Sequence, residues 1–131
     1  MIINKPHEPI NVSISAEDKE KIKIFLQGMV YCWCKNVRDE NNSSKWFYAR
    51  DLVGGESFSW DDTPLKVLNE KYVTRDTASQ ALGNLLYKVL DEDYYFSHSG
   101  EKSTSITYNK FYELFSSDNE IVRKQKTIQK I

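Results

Sequence analysis

Histidine is scarce in this chain: His7 and His98 are the only two. One falls in a lead-in flanked by Pro6 and Pro9, the other in a polar, turn-like stretch, so neither is placed for a preorganised Ser-His-Asp triad. Cysteine is scarce too. Cys32 and Cys34 are too close together for a disulfide framework, and reduced thiols buried in a helix are expected. Two residues apart on a helix means about 200° apart in direction. Zinc would need two further ligands, so no metal centre is expected. There is no Gly-rich phosphate loop, no Gly-x-Ser-x-Gly elbow and no His-Glu-x-x-His pair. The acids of Asp61-Asp62 and Asp91-Glu92-Asp93 are neighbours in solvated positions, and Glu17-Asp18-Lys19 is too short a match to a nuclease pattern to carry weight. The expectation is a protein that is not an enzyme and holds no cofactor. No apolar run approaches a membrane span. The first ten residues, with Lys5, His7 and Glu8, do not form a signal peptide. A cytoplasmic protein is expected. With three prolines and five glycines no stretch reads as a low-complexity linker, and 131 residues suit one domain.

Excess charge is also lacking. Lys and Arg number 18 against 19 Asp and Glu, for a net charge of −1. A strongly basic composition would point directly to nucleic acid; here such binding requires that charge be segregated. It is segregated in places. Residues 51–70 hold Asp51, Glu56, Asp61, Asp62 and Glu70 against Lys66 alone. Residues 120–131 hold Arg123, Lys124, Lys126 and Lys130 against Glu120.

What is present is helical periodicity. Residues 1–9 read as an extended arm, and Ile10, Val12 and Ile14 as a short strand or an extended lead-in. Ser15 is a good N-cap, with Glu17 and Asp18 suited to the positive end of a helix dipole. Ile22, Phe25, Leu26, Met29, Val30, Trp33 and Val37 then form one apolar stripe, widened by Ile24 and Tyr31. This predicts a long first helix ending near Lys35–Arg38. After a polar loop over Asp39–Ser44, the aromatic run Trp46, Phe47 and Tyr48 favours a strand, with a short helix over Ala49–Val53 as the alternative. Those aromatics beside Arg50 could stack on bases, but core packing is the favoured reading. The loop from Gly54 to Asp62 carries Phe58 and Trp60. Thr63 and Pro64 form a helix start, and Leu65, Leu68 and Tyr72 mark the buried face of a short helix ending near Lys71–Val73.

Residues 74–108 are the most informative stretch. Ala78, Ala81, Leu82, Leu85, Leu86, Val89 and Leu90 recur at steps of three and four, which predicts a helix over 76–90 capped by Thr74 or Asp76. Its other face carries Thr77, Ser79, Gln80, Asn84 and Lys88, with Arg75 just ahead. These are short or amide-bearing groups; Asn and Gln pair with adenine edges, and Arg or Lys with guanine. A merely wet polar face is the plainer alternative. Tyr94–Phe96 and Ser105–Tyr108 favour strands, and Ser97–Lys102, with Gly100, reads as the turn between them.

A short helix, a brief turn, a long helix and a hairpin with a polar tip carrying His98 and Lys102 resemble the helix-turn-helix and wing of the winged-helix superfamily. The resemblance covers residues 64–108 and lies in the order and pattern of elements. It implies an α+β fold: a mainly helical winged helix-turn-helix-like domain with a small antiparallel sheet, its core over 15–119 and a basic tail or short helix over 120–131. It also implies duplex DNA as partner and, by analogy, a regulatory role. Thr77, Ser79, Gln80 and Asn84 would approach base edges, Arg75 and Lys88 phosphates, and His98 and Lys102 the backbone or minor groove. The alternative is a non-catalytic protein-interaction module, with Phe58 and Trp60 as aromatic anchors. The 120–131 segment as a small helix could pair two copies of the chain.

Overall fold

Residues 1–53, 59–93, 96–102 and 106–111 are described by the computed structural model, with backbone alone at residues 3, 4, 75, 106, 107 and 109–111. The order of elements is β1 (Ile2–Asn4), α1 (Ala16–Asn36), α2 (Ala49–Val53), α3 (Lys66–Lys71), α4 (Arg75–Asp91), β2 (Ser97–Lys102) and β3 (Ile106–Phe111). The chain is therefore α+β. Among the described residues no helix is long and apolar enough to cross a membrane.

Helix α1 starts where its capping residue predicts. The Ser15 hydroxyl accepts the Asp18 N–H at 3.1 Å, and Glu17 pairs with Lys21 one turn on at 3.2 Å. Its buried stripe is Ile22, Leu26, Val30 and Cys34. Two expectations fail on this helix. Ile24 is 62% exposed, and Cys32 is exposed while Cys34 is buried. The cause is helical geometry: both lie off the stripe that meets the core. Gly28 also lies on the exposed side, and a Cβ added there meets nothing within 4 Å. Gly28→Ala is therefore expected to raise the unfolding free energy by about 0.5–1 kcal/mol, the cost of glycine inside a helix. Urea denaturation checks this; a fall in stability would contradict it.

Helix α4 is the centre of the core. Thr74 caps it, its hydroxyl accepting the Thr77 N–H at 3.2 Å. Ala81, Leu82, Leu85, Leu86, Tyr87, Val89 and Leu90 belong to one buried cluster with the α1 stripe, Leu65, Leu68, Phe47 and Tyr108. Each fully buried aliphatic side chain contributes about 1.5–3 kcal/mol. The carbonyl end of α4 is closed by a cation. The Met1 ammonium donates to Leu90 O at 2.8 Å, Asp93 O at 3.0 Å and Phe96 O at 3.2 Å.

The sheet is mixed, not purely antiparallel. Its order is β1-β2-β3, with β1 parallel to β2 and β2 antiparallel to β3 from Ser97↔Phe111 to Lys102↔Ile106. Residues 2–4 of the expected extended arm are thus an edge strand. Ser97–Lys102, expected as the turn, is the central strand; residues 103–105, between β2 and β3, lie outside the described residues. The expected strand near Phe47 reduces to one antiparallel bridge, Phe47↔Tyr108, with bonds of 2.9 and 2.8 Å. The alternative expected over Ala49–Val53 is present as α2.

Candidate functional site

Three of the residues expected to contact nucleic acid, His98, Asn84 and Thr77, have side chains engaged within the fold. His98 is fully buried. It lies in β2, not at a hairpin tip, and its Nε2 is 2.8 Å from Asp93 Oδ2. Asn84 is tied to the lead-in: its Oδ1 accepts the Ile10 N–H at 2.8 Å and its Nδ2 donates to Gln80 O at 2.9 Å. Thr77 is exposed, but its hydroxyl donates to Thr74 O at 3.0 Å within the cap. Lys88 is half-buried. The side chain of Arg75 lies outside the described residues, as does Phe58. Trp60 is half-buried and packs on the core, which leaves it unlike an open aromatic anchor.

The remaining three converge. Ser79, Gln80 and Lys102 line one cleft of about 730 Å³. Helix α4 supplies Ser79, Gln80, Gly83 and Asn84 as one wall. The lead-in supplies His7, Glu8 and Ile10 as another. Tyr48, Ala49 and Arg50 come from the start of α2, and Lys102 and Tyr108 from the hairpin. Arg50 is the residue that sequence reasoning passed over as a neighbour of core aromatics. Its guanidinium lies 4.7 Å from the centroid of the Tyr48 ring, a cation–π contact that holds the charge at the cleft. The signal that could have found it was the alternative reading of Ala49–Val53 as a helix, which turns residue 50 out of the core. Among the described residues neither Arg50 nor Lys102 has a carboxylate partner.

No protein-family model, curated protein or solved structure matches the chain. The chemistry of the cleft must speak for itself. Two free cations and an exposed amide and hydroxyl suit phosphate and base-edge contacts. One acid, Glu8, lies on the arm wall. The arm is held in place: the Nδ1–H of His7 donates to Glu8 O at 2.6 Å, and its ring lies 5.0 Å from that of Tyr87. On the floor, burial pushes the Tyr108 hydroxyl well above the ordinary phenol range, and the nearby Tyr87 adds to this. Burial also raises Tyr87, with Lys5 working against it and Asp91 and Glu8 adding to it. Both phenols are therefore neutral at physiological pH. Among the described residues no group of three or more His, Cys, Asp or Glu is gathered as a metal centre.

Proposed function

We propose that this chain is a non-enzymatic winged-helix-like domain that binds duplex DNA through the face holding the cleft. The supporting order of elements is a long helix, a bridge at Phe47 to the last strand, the α3–turn–α4 pair and a hairpin. The observation that carries the reading is the convergence of Ser79, Gln80, Lys102 and Arg50 on one concave surface. Ser79 and Gln80 lie near the start of α4 and are exposed, so they are the residues assigned to base edges. Arg50 and Lys102 flank them and are assigned to phosphates. Asn84 and His98 leave the contact set, because the fold uses them.

The roles separate in a binding series. Gln80→Ala is expected to reduce discrimination between duplexes by about 1–3 kcal/mol at the base pair it reads, with little change in non-specific affinity. Arg50→Ala and Lys102→Ala are expected to weaken all duplexes alike, and each to reduce the salt slope by about 1. Fluorescence anisotropy with labelled duplexes checks both. Wild-type behaviour in all three variants would refute the assignment and direct the search to protein partners.

A further inference from the structure

Tyr108 carries a feature that DNA contacts do not use. It is 2% exposed, and among the described residues its hydroxyl has no hydrogen-bond partner. A buried polar group left unmade is unfavourable, and native interiors rarely keep one without a reason. Its backbone cannot turn away, because both its N–H and C=O bond to Phe47. The open volume next to this side chain is the cleft that it lines together with Arg50, Lys102 and Tyr48. Aromatic walls with a few convergent polar groups, in a volume of this size, are the usual make-up of a small-molecule pocket.

We propose that the cleft is a binding site for a small aromatic anion: a planar ring carrying one phosphate or carboxylate. The anionic group lies at Arg50 and Lys102, neither of which has a carboxylate partner among the described residues. The ring lies against the tyrosines at the base of the cleft, and an acceptor on it receives a hydrogen bond from the Tyr108 hydroxyl. Glu8, on the opposite wall, opposes a second negative group on the same ligand, so among small ligands the cleft favours one with a single anionic group. Ser79, Gln80, Arg50 and Lys102 serve both this ligand and the proposed duplex, so the two exclude one another. That exclusion rests on the DNA reading; binding of the anion does not.

The test is isothermal titration of the full chain with three probes: adenosine monophosphate, benzoate and inorganic phosphate. The two aromatic anions represent the two sources of the shared chemistry, a nucleotide and an organic acid. At least one is expected to bind at a single site, more tightly than phosphate. Arg50→Ala is expected to weaken it by about tenfold. Gly83→Leu fills the cleft from a position where an added Cβ meets nothing within 4 Å, and is expected to abolish it while α4 keeps its stability. Tyr108→Phe is expected to weaken binding several-fold while leaving the unliganded melting temperature equal or higher, a pair of opposite effects that a purely structural tyrosine would not give. No binding of either aromatic anion at about 10 mM, the range of the weakest specific complexes, would overturn the proposal. So would equal binding in wild type and Gly83→Leu, or phosphate binding as tightly as the aromatic probes. Duplex binding is measured separately on the same samples, so loss of one activity with retention of the other identifies which reading has failed.

Discussion

Asp93→Ala is expected to lower the unfolding free energy by about 3–5 kcal/mol, the usual consequence of breaking a buried, hydrogen-bonded carboxylate pair. Asp93 is 5% exposed and His98 fully buried. The Asp93 carboxylate joins three parts of the fold. Oδ1 accepts the Phe96 N–H at 3.1 Å and the Tyr31 hydroxyl at 3.0 Å; Oδ2 meets His98 Nε2 at 2.8 Å. Alanine removes the acceptor from all three at once, in a place with little access to water. Each buried donor left unmade costs about 1–3 kcal/mol. Relaxation around the small side chain recovers part of that sum. Asp93→Asn keeps one oxygen for Phe96 and Tyr31 and puts a polar amide where Oδ2 meets His98, so it is expected to lose less than alanine does. Urea denaturation followed by circular dichroism measures both. An alanine variant within about 1 kcal/mol of wild type would show that the junction is not a stabilising one.

Phe47→Ala is the second large effect, about 3–5 kcal/mol of lost stability. Phe47 is fully buried, with its ring 6.2 Å from Trp33 and 6.1 Å from Tyr108 by centroid. Its backbone exchanges two hydrogen bonds with Tyr108. The ring therefore wedges the chain between α1 and β3 at the point where Tyr48 and Arg50 leave for the cleft. Removing it opens a cavity and frees that segment. Phe47→Leu, which keeps most of the volume, is expected to lose clearly less. The functional consequence is specific: in Phe47→Ala the contribution of Arg50 to duplex binding should fall, because Arg50 is positioned through this wedge. Equal stability of the alanine and leucine variants would contradict the packing account.

The two long helices were legible because their information is local; α3 begins at Lys66, after the start expected at Thr63 and Pro64. Ser15 and Thr74 are capping residues directly ahead of apolar stripes, and both cap as expected. The sheet was not legible for the opposite reason. Ser97, His98, Ser99 and Gly100 have the composition of a turn, yet they form a buried central strand. What fixes them there is remote in sequence: Met1 O accepts the His98 N–H at 2.8 Å, and β3 supplies the other edge. His98 looked like a polar tip because its partner, Asp93, reads as one more acid at the end of a helix. Asn84 looked free because Ile10, which uses its carboxamide oxygen, lies 74 positions away. The cleft was partly legible: Ser79, Gln80 and Lys102 were named from helix face and hairpin position. Arg50 was passed over because α2 is one turn long and sits beside core aromatics, where local pattern is weakest.

The most direct test of the proposed function is binding of the pure chain to a labelled mixed-sequence duplex, by fluorescence anisotropy, at low and then at physiological salt. Binding that falls steeply with salt, by an exponent of about 2 or more and lowered by about 1 in Lys102→Ala, is the predicted result, since each phosphate contact releases close to one counterion. No binding at low salt, or binding whose salt dependence is unchanged in Arg50→Ala and Lys102→Ala, would contradict it.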